Sequence, residues 1–248
     1  MSELGHLERL EIARDAVRYL TGRTDEELSR RVPNCPEWTV YNAVVHVCRS
    51  ALGWSEWMRA TPADPEAFDA GVRVREAEPS GVPMGTLAQW ANGFIDQVDE
   101  DPTVVTFYPL GGGRGTAGLW ALHAASEWGV HRLDVEGALG HDPSMTDQQA
   151  LDALRWAVEI VLPVLAGRSS LELPALEAIV STASGTRIGS VRRPDSFSGE
   201  PVTIEGPGVQ VLLAVWGRPH TAVTVDKPAG LNIWTTVPSG QAQFGAWD

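Results

Sequence analysis

Apolar residues recur every three or four positions along the first two thirds of the chain, with charged residues between them. This period is that of a helix with one buried face. Threonines stand where several of these stretches begin, and Gly140 ends the longest one, as N-caps and C-terminal glycines do. The pattern predicts helices over about residues 4–22, 40–60, 86–98, 117–139 and 147–166.

The segment between the second and third helices has a different composition. Residues 61–83 are rich in Pro, Ala, Asp and Glu, which predicts a surface loop. The apolar faces of the main helices are sufficient for an antiparallel four-helix bundle. We therefore expect one helical domain over residues 1–166.

Beyond Arg168 the apolar period shortens and β-branched residues become frequent. Runs of this kind, separated by Gly and Pro, are typical of strands. The longer apolar segment VQVLLAVWGR predicts a helix that packs on the resulting sheet. Residues 167–248 are thus expected to form a small α+β domain. The predicted strands lie in TRIGSVRR, PVTIEG, TAVTVDK and LNIWTTV.

Composition and charge exclude several classes of partner. Of the 248 residues, 43% are hydrophobic and 21% are charged, as in an ordinary globular protein. The formal net charge of -13 argues against nucleic acids and anionic membrane surfaces as partners. No apolar run is long enough to span a bilayer, and the charged N-terminal residues contain no signal core. The cytoplasm is the expected location.

The helix at residues 117–139 carries the best candidate chemistry. His123, Glu127 and His131 follow one another at four-residue spacing and share one face. The two histidines are separated by roughly 12 Å of helical rise, so one ion would take either His123 with Glu127 or Glu127 with His131. A third ligand must come from another helix, and His46 is the best candidate. Asp134 could orient a ligating imidazole.

Spacing alone also fits a polar face on one helix and a buried histidine on another. The cysteines, Cys35 and Cys48, are too few for a disulfide framework, and no neighbouring base marks either as a nucleophile. Arg218 follows an apolar helix, where it could cap that helix or bind a substrate carboxylate. The GGGRG segment lacks the Lys-Ser/Thr ending of a phosphate-binding loop, and a flexible connection is expected there.

Three segments resemble the mycothiol-dependent maleylpyruvate isomerase family, a branch of the DinB-like superfamily of metalloenzymes. VPNCPEWTVYNAVVHV is similar to the turn that leads into that family's first histidine helix. SEWGVHRLDVEGALG is similar to its Glu-x-x-x-His signature, although Ser126 stands where many members have histidine. PVTIEGPGVQVLLAVWGR resembles the sterol-carrier-like C-terminal domain of many members. The three occur in the expected order.

The resemblance implies a DinB-like four-helix bundle followed by a small α+β domain. It assigns His46, Glu127 and His131 as ligands of a divalent metal, most commonly zinc, and leaves His123 outside the ligand set. Replacing His123 is therefore expected to leave metal binding and activity largely unchanged. Arg218 is implied to bind the substrate, and mycothiol or another low-molecular-weight thiol is the implied cofactor.

The expected function is a metal- and thiol-dependent isomerase or S-transferase for a small electrophilic substrate that carries a carboxylate. Isomerisation by such an enzyme would proceed by thiolate addition to a double bond, rotation and elimination of the thiol. Two alternatives remain open. One is a thiol-independent metalloenzyme, a hydrolase, lyase or cyclase, and the other is a non-catalytic protein that binds a small ligand.

Overall fold

The computed structural model describes residues 3–76, 81–168, 170–193 and 201–244. Its contacts divide the chain into two compact units, one spanning Gly5–Ser144 and one that begins at Met145. Each unit is described by itself below. In the described ranges, no helix is both long enough and apolar enough to cross a membrane.

The first unit is a helical bundle with two short hairpins. The elements are α1 (His6–Thr21), α2 (Asp25–Leu28), β1 (Arg31–Val32), β2 (Cys35–Thr39), α3 (Val40–Arg59), α4 (Ala67–Glu76), α5 (Met84–Asp99), β3 (Val105–Thr106), a 3₁₀ turn (Pro109–Gly111), β4 (Gly115–Thr116) and α6 (Ala117–Leu139). The long helices pack in the pairs α1 with α6, α3 with α5 and α1 with α5, and α6 also contacts α3 and α5.

Helix boundaries follow the capping residues of the sequence. The Thr39 hydroxyl accepts a hydrogen bond from the Asn42 backbone N–H, and Asn42 Oδ1 accepts one from the Thr39 backbone N–H. This capping box fixes the start of α3. The Thr116 hydroxyl caps α6 by accepting from the Leu119 backbone N–H, and Gly140 ends the helix in the left-handed conformation, with φ of 74°.

Helix α6 is buried on nearly all sides. Its buried residues are distributed around the whole helix and do not form a single stripe, so it occupies the centre of the bundle. Large aromatic side chains fill the space beside it. The rings of Trp54 and Trp128 stack 5.5 Å apart, and Trp120 packs against Trp54 at 5.7 Å. Trp54, Trp57, Trp120 and Trp128 are therefore part of the bundle's core.

The second unit is α+β. The elements are α7 (Asp147–Arg155), a π-helical segment (Trp156–Val161), α8 (Leu162–Arg168), β5 (Leu176–Ser181), β6 (Arg187–Arg193), β7 (Val202–Gly206), α9 (Gly208–Val215), β8 (Thr224–Val225) and α10 (Pro228–Phe244). The sheet has the order β6-β5-β7-β8, in which β5 and β7 run parallel and the two outer strands are antiparallel to their neighbours. Helix α9 packs on β5 and β7, as the apolar segment VQVLLAVWGR predicted.

The predicted fold class is confirmed: a helical N-terminal part precedes a small α+β part. The division between the compact units differs from the boundary predicted at residues 166 and 167. It lies between Ser144 and Met145, because α7 packs on α9 and β6, and α8 packs on α10. The helical segment before residue 166 thus belongs to the core of the second unit.

The loop predicted over residues 61–83 is wrong for Ala67–Glu76, which form α4. This helix covers the aromatic ring of Trp57. The Trp57 indole N–H donates to the Phe68 carbonyl, and the two rings stack 5.7 Å apart. Gly71 faces the same indole so closely that a side chain would collide with it. A tertiary contact, rather than helical propensity, accounts for this element.

The strand predicted in LNIWTTV is also wrong, because residues 231–237 belong to α10. Leu231, Trp234 and Val237 are buried, whereas Ile233 is exposed. That three-residue period is helical, and it outweighs the strand preference of the β-branched residues in the segment.

Candidate metal centre

A hairpin and a capping box position the first histidine. Strands β1 and β2 pair so that Arg31 lies opposite Thr39, and the chain enters α3 directly from this hairpin. Because the cap fixes the first residue of α3 as Val40, His46 falls on its second turn.

The structure brings together the three residues that the family resemblance assigned as ligands. His46 on α3 and Glu127 and His131 on α6 each offer one donor atom, and these atoms all lie within 4.8 Å of one another. We call these three residues the donor group. His46 Nε2 and Glu127 Oε1 are 3.5 Å apart, and the imidazole rings of His46 and His131 are 4.9 Å apart.

His123 lies outside the donor group although it shares the helical face. Its Nε2 is 2.6 Å from Glu127 Oε2, the carboxylate oxygen that does not face His46. The ring is buried, with 5% of the side chain exposed. Between the two ligand pairs that spacing left open, the geometry thus brings Glu127 and His131 together with His46.

The electrostatics of the site favour ionised Glu127 and neutral His131. Burial alone would raise the pKa of the Glu127 carboxyl, but hydrogen bonds from His123 and His46 outweigh it and hold that pKa well below its ordinary value. Burial lowers the pKa of His131, and the nearby His46 lowers it further, while Asp134 partly opposes the shift. A carboxylate and a neutral imidazole are the forms that ligate metals.

A second carboxylate, that of Asp134, lies next to His131, as its spacing along α6 suggested. Asp134 Oδ2 lies 3.3 Å from His131 Nδ1, on the opposite side of the ring from Nε2. Asp134 is itself held by Asn34, whose side-chain N–H donates to Asp134 Oδ1 at 2.9 Å. Sequence reasoning missed Asn34, because the two residues are 100 positions apart and only the hairpin brings them into contact.

Trp38 forms a wall beside the donor group. Its ring centroid lies 4.9 Å from that of His46 and 5.8 Å from that of His131. The side chains of the donor group retain some exposure, at 15% for His46, 20% for Glu127 and 12% for His131. The donor group is therefore not fully enclosed, and Trp38 supplies an aromatic surface beside it.

Arg218 belongs to the second unit. It follows α9, and its backbone N–H donates to the Leu213 carbonyl. Its guanidinium lies 5.6 Å from the centroid of the Trp216 ring, and the residue is half-buried. These contacts fix its local setting, while the role of Arg218 in substrate binding stays a prediction.

The cysteines occupy different environments. Cys48 is fully buried in α3, and burial raises the pKa of its thiol to about 12. Cys35 lies in β2 and is half-buried. Neither belongs to the donor group.

Comparison with known proteins identifies the family. A sequence profile described as the mycothiol maleylpyruvate isomerase N-terminal domain matches residues 10–136, more than half of the chain. The chain belongs to the mycothiol maleylpyruvate isomerase family. The match spans all three members of the donor group, so the assignment of the family made from sequence segments is confirmed.

Solved structures support the same fold. Two crystal structures of the mycothiol-dependent maleylpyruvate isomerase, one of a histidine-to-alanine mutant, are similar to this chain with TM-scores of 0.54 and 0.55. Each is 17% identical, and the similarity covers 92% of this chain and 96% of the other. At this identity the likeness concerns the fold. Among the curated proteins compared, none matches the sequence.

The environment of the cysteines predicts their reactivity. At pH 8 the Cys48 thiol stays protonated and buried, so iodoacetamide should modify folded protein at Cys35 only. Unfolded protein should be modified at both cysteines, as counted by intact-mass spectrometry.

The double variant Cys35→Ser/Cys48→Ala should keep its activity. A loss of about 100-fold in a folded double variant would instead show that a cysteine takes part in the chemistry.

Proposed function

We propose that this chain is a divalent-metal-dependent, thiol-using isomerase or S-transferase that acts on a small electrophilic substrate bearing a carboxylate. The observation that carries the proposal is the donor group, three potential ligand atoms from two helices within 4.8 Å of one another. Membership of the mycothiol maleylpyruvate isomerase family supports the thiol and the class of reaction.

The donor set fits zinc. Ligand atoms on a tetrahedral zinc lie about 2.0–2.2 Å from the ion and hence about 3.4 Å from one another. The distance of 3.5 Å between His46 Nε2 and Glu127 Oε1 agrees with this spacing. Two imidazoles and one carboxylate suit a borderline divalent ion, and three protein ligands are the number found in catalytic zinc sites.

The protein's own residues prepare the site for a cation. The low pKa of Glu127 and the lowered pKa of His131 keep both in their ligating forms near neutral pH. Asp134 Oδ2 lies 3.3 Å from His131 Nδ1, where a carboxylate would help to orient the imidazole. A divalent cation held there would supply a Lewis acid that favours the thiolate form of a thiol.

The net charge of the donor group bears on the substrate. Glu127 carries one negative charge and the two histidines are neutral as ligands, so a divalent cation leaves an excess of one positive charge. Such a site attracts thiolates and anions. Arg218 is proposed to hold the substrate carboxylate through a bidentate pair, which would orient the electrophile.

Metal content tests the donor group. Wild-type protein dialysed against zinc should retain about one ion per chain, and His46→Ala/His131→Ala should retain none, because a single carboxylate does not hold zinc. The measurement is native mass spectrometry with elemental analysis. His141→Ala is the matched control, since His141 is bonded to Tyr19 and lies outside the donor group.

Full metal stoichiometry in the double variant would refute the assignment of these ligands. A wild-type protein that binds no divalent metal would remove the enzymatic proposal. A non-catalytic protein that binds a small ligand would then be the better account.

Thiol dependence tests the reaction class. The zinc-loaded protein, purified from a host that makes mycothiol, should isomerise maleylpyruvate only when mycothiol is added back after dialysis. Turnover is followed by the change in absorbance of the substrate. Activity toward an electrophilic substrate that depends on metal but not on thiol would favour the hydrolase, lyase or cyclase alternative.

Arg218→Lys tests the carboxylate site. Lysine keeps the charge but loses the bidentate fork, so KM should rise or kcat should fall, by about tenfold for one charge-assisted hydrogen bond worth about 1.5 kcal/mol. Arg187→Lys is the control, because Arg187 pairs with Glu177 on the exposed sheet. Unchanged kinetics with a lower Tm would limit Arg218 to its packing against Trp216.

A further inference from the structure

The buried histidine behind the donor group has a specific partner. His123 Nε2 and Glu127 Oε2 are 2.6 Å apart, a short hydrogen bond between residues one helical turn apart. Burying an imidazole in an apolar core is unfavourable unless its polar atoms find partners. The ionised carboxylate is such a partner, and in return the histidine reduces the cost of burying the charge of Glu127.

Aromatic rings hold His123 in place. Its ring stacks on Trp120 at 5.3 Å with an interplanar angle of 7°, and the centroid of the Trp54 ring lies 4.4 Å from that of His123. Tyr108 meets it edge-on at 5.7 Å. All three rings are buried in the core, so the imidazole has little freedom to turn or shift.

A fixed imidazole determines how Glu127 presents its two oxygens. Oε2 is occupied by His123, and Oε1 is the oxygen that lies 3.5 Å from His46 Nε2. Without the bond to His123, rotation of the carboxylate would cost little, and both oxygens could turn toward an ion. The hydrogen bond therefore selects one oxygen and one orientation.

We propose that His123 is a positioning residue, which holds Glu127 so that a single carboxylate oxygen faces the cation site. This inference rests on the proposed metal centre. It assigns His123 a role outside the set of ligands, and it replaces the sequence-based expectation that changing this residue would leave metal binding largely unchanged. Partners of this kind typically change metal affinity or activity by about 10- to 100-fold when removed.

Two substitutions separate hydrogen bonding from packing. His123→Phe keeps an aromatic ring beside the surrounding tryptophan and tyrosine rings but removes the nitrogen that is hydrogen-bonded to Glu127. His123→Gln places an amide N–H near the position of the imidazole Nε2 and so restores the bond to Glu127. Trp57→Phe is the control for loss of aromatic packing, because Trp57 stacks on Trp120 at 6.1 Å in the same cluster.

The measurements are zinc affinity, by competition with a chromophoric chelator, and the visible spectrum of the cobalt-substituted protein. We expect His123→Phe to weaken zinc binding about 10- to 100-fold and to alter the cobalt bands, as the carboxylate changes its mode of ligation. His123→Gln should recover most of the affinity and the wild-type bands. Trp57→Phe should lower the Tm of the metal-free protein without changing either readout.

Three results would overturn the proposal. Wild-type affinity in His123→Phe would show that the ring serves packing only. If the Phe and Gln variants lose zinc affinity equally, and the loss follows a fall in the Tm of the metal-free protein, the ring likewise serves packing only. If the wild-type protein binds no zinc, both this inference and the proposed function fail, whereas the first two results leave the metal centre intact.

Discussion

The buried carboxylate of Glu127 is the constraint around which the bundle is arranged. A charge on the central, largely buried helix α6 is tolerated only if partners surround it. The fold supplies His123 from the preceding turn of the same helix and His46 from α3. Because one partner, His46, is an imidazole on a second helix, the arrangement that satisfies this carboxylate also brings His46 into the donor group.

The surroundings of the donor group differ on its two sides, and each side restrains a different ligand. Inside the core, rigid aromatic rings hold His123 and, through it, Glu127. Nearer the surface, Asn34 of the β1–β2 hairpin holds Asp134, which in turn faces His131. Trp38 of the same hairpin also packs against the rings of His46 and His131.

Local patterns sufficed to predict the part of the site that lies on one helix. The spacing from His123 to Asp134 is a property of α6 alone, and the N-capping residues Thr39 and Thr116 can be identified directly in the sequence. Spacing alone left two ligand pairs open, because the neighbours of each imidazole come from distant segments. The family resemblance chose between them, and the grouping of His46 with Glu127 and His131 agrees with that choice. Elements that depend on tertiary contacts were missed for the same reason. They include α4, which covers Trp57, strand β5, and the β1–β2 hairpin.

The location of the proposed functional residues suggests how chemistry and specificity are separated in this protein. All members of the donor group, with His123 and Asp134, belong to the unit that spans Gly5–Ser144. Arg218, proposed to bind the substrate carboxylate, belongs to the other unit and is set by its own contacts with α9 and Trp216. Under the proposed assignment, substitutions in the second unit would change substrate recognition while the contacts of His123 with Glu127 and of Asp134 with His131 stay intact. All three residues of the donor group lie within one unit, so their geometry does not depend on the residues proposed to select the substrate, and such a site is compatible with different substrates.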